Sequence, residues 1–242
     1  MSKDELGDRM KDAESVYDLQ IPGDKFIVLR ADGRSFSKFT SDFAKPFDPR
    51  MSSAMLAAAI EMNDTMLGFM GYVQSDEITV VLKPKRNKAD TGFIDHIFNG
   101  RIQKLISLAA SSATRAFNEN IGTYSNKRPL FDCRIQAFDT IDEATNCVFW
   151  RILDCKRNAV SAVYRYTYGH SKMQNKSVKV MLEELVSDGH WAKYHNDYKY
   201  GVLFSKKKSP FIEGRVIDTR INLEEVLEKH SHECRVKAFL EE

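Results

Sequence analysis

The chain has 242 residues, 43% of them hydrophobic, which is enough for one large domain or two small ones. Its 36 basic and 34 acidic residues leave a net charge of only +2, so any nucleic-acid surface must come from local clustering of cations. No apolar run approaches the ~20 residues of a membrane span, and the charged N-terminus lacks the apolar core of a secretory signal. These features predict a cytoplasmic protein without a membrane partner.

A strand and a long helix are predicted first. Residues 26–31 are apolar and rich in residues that favour β-structure, and they end at Asp32-Gly33, where a turn is expected. Residues 51–68 are rich in Ala, Met and Leu and contain no proline, so they predict a helix. Its apolar face comprises Met55, Ala58, Ala59, Met62 and Met66.

A hairpin comes next, because two β-type runs in residues 69–83 flank the polar residues 74–77. A second helix is predicted from Gly92 to Asn118, and residues 131–138 alternate as a further strand. The apolar face of that helix comprises Phe93, Ile97, Ile102, Leu105, Ile106 and Ala109. The order predicts the α+β class, with an antiparallel, ferredoxin-like sheet as in a polymerase palm and helices on one face.

The rest of the chain is predicted to be largely helical. Helical patterns extend from Ile141 to about Ser187, and residues 198–204 predict a closing strand. Asn222 stands three residues before Glu225, which predicts a helix in the polar tail. We therefore divide the chain into a palm-like catalytic domain, a helical portion that closes on it and contacts RNA or nucleotide, and a tail of unknown role. These segments are residues 1–140, 141–204 and 205–242.

Two acidic turn sites carry the clearest chemical signal. Asp32 follows an apolar strand, and Asp76 lies at the apex of the hairpin with Glu77 beside it. The end of one strand and the tip of a neighbouring hairpin can converge in an antiparallel sheet, and carboxylates there can hold Mg²⁺. Two metals roughly 3.5–4 Å apart can activate an attacking oxygen and neutralise a leaving pyrophosphate. On pattern alone, the alternative that both residues only form turns is equally good.

Phosphate binding requires cations and free backbone amides. Gly33 allows a close approach of the backbone, and the amides of Arg34, Ser35 and Phe36 follow it. The cations nearby in sequence are Arg30, Lys38 and Lys45. The alternative for each cation is an ordinary solvated side chain.

Seven segments in the same order resemble motifs of the tRNA-His guanylyltransferase superfamily, over roughly residues 25–204. They are RADGRSFSKFT (30–40), FAKPFDPR (43–50), YVQSDEITVVLK (72–83), FDCRIQAF (131–138), VFWRILDCKRNAVS (148–161), QNKS (174–177) and KYGVLF (199–204). The order DGR, AKP, SDE is highly specific. The resemblance implies an enzyme that adds nucleotides in the 3′-to-5′ direction on a polymerase-like palm.

The resemblance also implies roles for individual residues. Asp32, the carbonyl of Gly33 and Asp76 would bind two Mg²⁺ ions, with Glu77 supporting them as a catalytic residue. The implied nucleotide-binding residues are Ser75, Lys45, Asp48 and the backbone from Asp32 to Phe36, which includes Arg34 and Ser35; Arg30 is added as a neighbouring cation.

The implied reaction has two stages. The 5′-monophosphate of a tRNA or another RNA attacks the α-phosphate of ATP, which releases pyrophosphate. The 3′-hydroxyl of GTP or another NTP then attacks the activated 5′ phosphate and expels AMP. Both stages depend on in-line geometry and charge neutralisation. The family likeness further implies a homotetramer.

Three departures favour the Thg1-like group, which repairs truncated RNA 5′ ends, over dedicated addition of one guanylate to tRNA-His. Residues 156–159 read Lys-Arg-Asn-Ala where eukaryotic guanylyltransferases have His-Ile-Asn-Asn. Ser37 replaces a family His, and Phe47 replaces the Asn that usually follows AKP.

Cations on the helix after residue 141 are candidates for RNA contacts. Arg151, Asn158 and Arg165 are seven residues apart and so share one helix face, and Lys156 and Arg157 lie nearby. Contacts to phosphates would make binding sensitive to salt. The loop residues Asn175 and Lys176 are further RNA candidates. Ordinary exposed helix cations are the equal alternative.

Other chemistry-bearing residues are assigned to structure. His230, His232 and Cys234 have poor spacing for zinc. Trp150 and Trp191 are expected in core or interface packing and not as platforms for bases. Neither CxxC spacing nor dense pairing appears among the four cysteines, so reduced thiols are expected.

Three competing functions stay open at this point. A dedicated tRNA-His guanylyltransferase would use the same carboxylates. A palm-type nucleotidyl cyclase needs no RNA and would yield a cyclic nucleotide. A non-catalytic RNA-binding module would bind RNA without transferring a nucleotide.

Overall fold

The computed structural model of the chain describes residues 5–208, 215–218 and 223–229. The strands are β1 (Phe26–Gly33), β2 (Met70–Gln74), β3 (Glu77–Leu82), β4 (Lys85–Arg86), β5 (Phe93–Ile94), β6 (Phe131–Phe138), β7 (Val202–Lys208) and β8 (Arg215–Asp218). The helices are α1 (Glu5–Ser15), α2 (Phe36–Phe39), α3 (Pro49–Thr65), α4 (Ile102–Ile121), α5 (Ile141–Tyr168), α6 (His170–Met173), α7 (Val178–Ser187), α8 (Asn196–Tyr200) and α9 (Leu223–Lys229).

The centre of the fold is a six-stranded sheet in the spatial order β6-β1-β3-β2-β7-β8, with every neighbouring pair antiparallel. Within it, β1-α3-β2-β3-α4-β6 forms a ferredoxin-like unit, since β1 and β2 are parallel strands separated by β3. The predicted α+β class and palm-like sheet are confirmed. Strands β7 and β8 extend the sheet beyond β2, so chain segments on both sides of residue 204 contribute to it.

Strand alternation divides the sheet into two packed faces. Ile27, Leu29 and Ala31 of β1 pack against α3 and α4. Val28 points to the opposite face, in a cluster with residues of α5 such as Val148. The helices of the palm unit thus cover one face, and α5 of the helical portion covers the other. The polar residues of β1 that follow Val28 at alternate positions face α5.

Helix α3 matches its prediction closely. It starts at Pro49, where proline is favoured because its missing N–H is not needed in the first turn. Its predicted apolar face is confirmed, since Met55, Ala58, Ala59, Met62 and Met66 are at most 1% exposed.

The predicted helix from Gly92 to Asn118 was wrong in its first turns. The helix starts at Ile102, and Phe93 belongs to the β4–β5 hairpin, where 44% of its surface is exposed. Phe98, Asn99 and Gly100 all have positive φ, which no right-handed helix accommodates. Apolar spacing alone could not reveal this interruption.

The predicted closing strand at 198–204 was wrong in its first half. Residues 196–200 form α8, and Gly201 with φ of +79° separates it from β7. The predicted tail helix is confirmed as α9. His230, His232 and Cys234 lie outside the described residues. Within residues 5–208, 215–218 and 223–229, no helix is long and apolar enough to cross a membrane.

Candidate active site

Asp32 and Asp76 meet at one end of the sheet, as the sequence predicted. Asp76 lies in the two-residue turn between β2 and β3, and the amide of Gly33 donates to the Asp76 carbonyl across 3.0 Å. The register of β1 with β3 sets Asp32 opposite Glu77. Asp32 was expected just beyond its strand, but it is the penultimate residue of β1. The pleat of β1 therefore fixes the face to which its carboxylate points.

Asp76 carries its negative charge at a cost in the folded protein. Burial raises the pKa of Asp76 above its ordinary value, and the charge of Asp32 raises it further. The guanidinium of Arg134 lies 3.8 Å from the Asp32 carboxylate, but 59% of the Arg134 side chain is exposed, so water screens this pair. Two like charges held together in this way favour the binding of a cation.

The loop after Asp32 offers fewer amides than the sequence predicted. The Gly33 amide is bound to Asp76, and the Arg34 amide donates to the carbonyl of Leu130 across 2.8 Å. The side chain of Phe36 is buried in the core. Within the described residues, the amides of this loop that remain for a phosphate are those of Ser35 and Phe36.

Gly33 is required by close packing. A Cβ at this position would overlap the ring of Phe36, which packs against Phe39, Phe117 and Phe131 and cannot swing away. The glycine therefore lets the chain turn tightly between β1 and α2.

We expect Gly33→Ala to reduce the nucleotide transfer that the family resemblance implies about a hundredfold or more, since a shift of about 1 Å at a reacting centre can have that effect. Overpacking should also lower the free energy of unfolding by about 1–3 kcal/mol. Transfer assays and urea denaturation measure the two effects. Gly92→Ala is the matched control, because the nearest atom to a Cβ there is 3.9 Å away. Equal activity in the two variants would contradict the packing argument.

A cleft of about 400 Å³ opens beside the hairpin turn, a size usual for small-molecule sites. Ser75 and Asp76 border it on one side, and Lys45 lies on its rim with its ammonium donating to the carbonyl of Thr40 across 2.9 Å. Aromatic residues form much of its wall: Phe36, Phe43, Phe47 and Tyr198. We call this the apolar cleft.

A second cleft, of about 320 Å³, lies on the other side of the carboxylates. Asp32, Arg30 and Arg134 line it, and we call it the polar cleft. The two clefts share Gln74, Ser75, Asp76 and Asn158. A group bound in either cleft can therefore reach Asp76.

Asp48 borders the apolar cleft, but its carboxylate is already occupied. It caps the N-terminus of α3 by accepting from the Arg50 amide, it accepts from the Ala44 amide, and it pairs with the Arg50 guanidinium. Only 3% of the side chain is exposed. The structure thus gives the Asp48 carboxylate a structural role, since it supports the segment that carries Lys45, and its contact with a nucleotide stays a prediction.

We expect Asp48→Ala to lower the free energy of unfolding by about 2–3 kcal/mol, because it removes a helix cap and leaves the partners of a charged acceptor unpaired. Asp48→Asn, which can still cap, should have a smaller effect.

The Arg50 guanidinium holds the pKa of Asp48 well below its ordinary 3.8. Because the folded pKa is lowered, this stabilisation is complete above the ordinary carboxyl pKa and is lost as the pH falls towards the folded pKa. Urea denaturation at several pH values should therefore show the difference between wild type and Asp48→Ala shrinking in acid, and a constant difference would contradict it.

Glu77 and Arg151 form a buried ion pair behind the metal-binding carboxylates predicted from the sequence. The Arg151 Nε lies 2.6 Å from Glu77 Oε1, and each side chain is only 10% exposed. Arg30 lies 3.9 Å from the other carboxylate oxygen of Glu77. Arg151, which the sequence predicts as an RNA contact, donates to Glu77 and Asp154 and lines the polar cleft, and the RNA contact stays a prediction.

The other RNA candidates differ in their exposure and in their intramolecular partners. Asn158 and Arg157 donate to Asp154, and Asn158 lines both clefts. Lys176 donates to Glu184 and to the hydroxyl of Tyr164, so its charge ties the loop to α7. The exposed candidates are Arg157, Asn158, Arg165 and Asn175, while Lys156 is half-buried with its ammonium 5.9 Å from the Tyr200 ring centroid.

Three residues that line the polar cleft were not predicted as site residues: Gln74, Arg134 and Trp150. The alternating side chains of residues 131–138 could have indicated Arg134. Its strand, β6, pairs with β1 and sets Arg134 opposite Arg30 and Asp132 opposite Asp32. Trp191 is 7% exposed, as expected for core packing, but Trp150 is 51% exposed and does not lie in the core. Cys133, Cys147 and Cys155 are free thiols.

The family model described as tRNA-His guanylyltransferase matches residues 7–139. An uncharacterised protein of Acanthamoeba polyphaga mimivirus is 32% identical over 226 residues, which cover 84% of this chain and 77% of the viral protein. The chain spans about half to two thirds of the length of the amoebal and fungal guanylyltransferases that it matches.

Two solved bacterial structures are similar to this chain. One is a tRNA-His guanylyltransferase-like protein in complex with ATP, with a TM-score of 0.80, 27% identity and coverage of 93% of this chain and 95% of that one. The other is such a protein in complex with GTP, with a TM-score of 0.76, 26% identity and coverage of 98% and 100%.

Proposed function

The chain belongs to the tRNA-His guanylyltransferase family of nucleotidyltransferases, and we propose that it adds nucleotides in the 3′-to-5′ direction to the 5′ end of a tRNA or tRNA-like RNA. The observation that carries the proposal is the meeting of Asp32 and Asp76 at the junction of two clefts. A nucleotide in the apolar cleft and an RNA end in the polar cleft would both lie beside these carboxylates.

Two Mg²⁺ ions are the proposed cofactors. Among the described residues, no group of three or more His, Cys, Asp or Glu side chains forms a metal cage. Two carboxylates and the Gly33 carbonyl instead offer an open set of oxygen ligands, and Mg²⁺ commonly binds through one or two carboxylates together with substrate phosphates. When bound, the metals would supply a more nucleophilic oxygen and neutralise charge on the leaving group. The mutual repulsion of Asp32 and Asp76 supports this assignment.

The apolar cleft is the proposed site of ATP. Its aromatic wall suits a purine, and Lys45 on its rim suits a phosphate. The amides of Ser35 and Phe36 lie in the adjoining loop. The bacterial relatives in complex with ATP and with GTP support this assignment.

Two displacements at phosphorus make up the proposed reaction. In the first, an oxygen of the RNA 5′-monophosphate attacks the α-phosphorus of ATP, and the bond to pyrophosphate breaks. In the second, the 3′-hydroxyl oxygen of GTP or another NTP attacks the 5′ phosphorus of the RNA, AMP leaves, and the hydroxyl proton passes to solvent. The chain orients the reactants, and the buried Glu77–Arg151 pair holds the hairpin that carries Asp76.

Incubation with α-labelled ATP, GTP and a 5′-monophosphorylated, 5′-truncated tRNA tests the proposal. The expected products are a longer RNA and labelled AMP, with no product from the same RNA bearing a 5′-hydroxyl. Formation of a cyclic nucleotide without RNA would favour a nucleotidyl cyclase instead. RNA binding without any transfer in Mg²⁺ and ATP would favour a non-catalytic RNA-binding module.

Repair of truncated 5′ ends is proposed over dedicated guanylate addition to tRNA-His. Lys156, Arg157 and Ala159 occupy positions where the eukaryotic enzymes carry a His-Ile-Asn-Asn stretch, and Phe47 packs parallel to Tyr198 where they have Asn. Faster extension of truncated tRNAs than of intact tRNA-His is the expected result, and the reverse preference would assign the dedicated activity.

Family resemblance also motivates two further proposals, a homotetramer and a cytoplasmic location. Sedimentation velocity tests the first, since a monomer at micromolar concentration would contradict it. Fractionation of the source cells tests the second.

A further inference from the structure

Trp150 is an exposed aromatic residue in otherwise polar surroundings. It lies on α5, lines the polar cleft and is 51% exposed. All other side chains that line this cleft are polar or charged. A tryptophan at a protein interface would normally have apolar neighbours around it. Its surroundings therefore fit a ligand that is both aromatic and anionic.

Two guanidinium groups hold the indole in place. The guanidinium carbon of Arg151 lies 4.5 Å from the ring centroid, and that of Arg30 lies 5.5 Å away. Both arginines are anchored by Glu77. Since the three elements that carry these residues are β1, β3 and α5, the ring is mounted on regular secondary structure. Such a surface loses little entropy when a flat ligand stacks on it.

The polar cleft contains both cations that can contact a phosphate and the two carboxylates of the candidate site. Arg134 is 59% exposed and, like Arg30, lines the same cleft. Asp32 and Asp76 lie in this cleft too, so a phosphate entering it would be drawn in by the arginines and, with cations present, held beside the carboxylates. A nucleobase attached to that phosphate would then lie within reach of Trp150.

We propose that Trp150 is a stacking platform for the 5′-terminal nucleobase of the RNA acceptor, an inference that rests on the proposed function. Stacking on an aromatic side chain accepts any base, because every base has a π-face. The platform therefore positions the end of the RNA without reading its sequence. This fits an enzyme that extends 5′ ends of varied sequence, and it separates the RNA end from the nucleotide in the apolar cleft.

The test compares two 5′-monophosphorylated RNA hairpins, one with a normal 5′-terminal base and one abasic at that nucleotide. Wild-type protein should bind the normal hairpin about 5- to 100-fold more tightly, the range expected for one stacked base. Trp150→Ala should abolish this difference, and Trp150→Phe should retain most of it. Tyr166→Ala is the matched control, because Tyr166 is an exposed aromatic residue on the same helix that does not line the cleft.

Fluorescence provides a second readout. The chain has two tryptophans, so in a Trp191→Phe background the emission comes from Trp150 alone. The normal hairpin should quench this emission and the abasic hairpin should quench it much less. The affinity measurement needs no Trp191 substitution, so it stands even if that background folds poorly.

The possible outcomes distinguish a failure of the Trp150 platform from a failure of the proposed function. If wild type extends RNA but binds both hairpins equally, with Trp150→Ala unchanged in affinity, the platform is overturned and the proposed function survives. If wild type neither binds nor extends RNA, both are overturned. If Trp150→Ala instead dissociates an oligomer without changing base discrimination, Trp150 belongs to an interface between copies of the chain and the platform is overturned.

Discussion

Replacing Asp76 by Asn is expected to raise the melting temperature of the metal-free protein while reducing nucleotide transfer at least about a thousandfold. The loss of transfer follows because metal ions supply several kcal/mol of charge stabilisation in such reactions, and each 1.36 kcal/mol is a factor of ten. The gain in stability follows because Asn keeps the shape of Asp and removes a partly buried charge that faces Asp32. Thermal melting without divalent cations and a transfer assay measure the two effects.

The pH dependence of this gain has a definite sign. Burial and the charge of Asp32 raise the folded pKa of Asp76 above its ordinary 3.8. The charged form is therefore disfavoured in the folded state, and the cost is complete above the folded pKa and absent below pH 3.8. The advantage of Asp76→Asn should be present at neutral pH and vanish in acid.

A matched control and a ligand control sharpen this prediction. Asp90→Asn changes an exposed carboxylate that lines neither cleft, so it should alter neither the melting temperature nor nucleotide transfer. Mg²⁺ with a non-hydrolysable ATP analogue should raise the melting temperature of wild type but not that of Asp76→Asn, since ligands stabilise only the state that binds them. A metal-free Asp76→Asn protein that melts below wild type would show that the carboxylate has a structural role instead.

Replacing Arg151 by Met is expected to lower the free energy of unfolding by about 3–5 kcal/mol, because it leaves the buried carboxylate of Glu77 without its closest partner. For a chain of this size the melting temperature should fall by about 6–20 °C. Arg30, at 3.9 Å from Glu77, retains part of the neutralisation and favours the lower end of the range. Urea denaturation monitored by circular dichroism measures the change.

The double variant Glu77→Gln, Arg151→Met should recover much of this loss, because it removes the unpaired charge as well. Arg157→Met is the matched control, as Arg157 lies on the same helix with 62% of its side chain exposed and also pairs with Asp154. A surface pair contributes about 0–1 kcal/mol. If Arg151→Met and Arg157→Met proved equally mild, the buried pair would not hold the hairpin.

The sequence was informative wherever a pattern depends on a single element. The apolar run before Asp32 and the two β-type runs around Asp76 located both acidic turns, and the spacing on α3 located its buried face. The end of one antiparallel strand and the tip of a neighbouring hairpin can converge, so local patterns allowed the meeting of Asp32 and Asp76, and the family resemblance favoured it over two unrelated turns. The family resemblance added the direction of the chemistry, which no pattern of charge or hydropathy contains.

Features that depend on contacts between distant elements could not be predicted. Helical spacing places Arg151 on a face with Arg165, but only packing shows that this part of α5 lies against β3 and that Glu77 neutralises the guanidinium. Asp48 has the residue type and position of a binding residue, yet Arg50 and Ala44 occupy its carboxylate. The exposure of Trp150 depends on which side of α5 packs against the sheet, since its neighbours Phe149 and Ile152 are buried there, and no single segment encodes that choice.

The two clefts of the candidate active site differ in the chemistry of their linings. The apolar cleft has aromatic walls and a lysine at its rim, whereas the polar cleft has arginines and one exposed indole. Asp76 borders both. A group bound in either cleft can therefore reach Asp76, which is what the proposed two displacements require of a shared site.

The most direct measurement is a crystal structure with Mn²⁺ in place of Mg²⁺ and a non-hydrolysable ATP analogue, using anomalous scattering to locate the metal. Two peaks about 3.5–4 Å apart that contact Asp32, Asp76 and the triphosphate are the expected result. A bound analogue whose metal ions lie away from both carboxylates would contradict it.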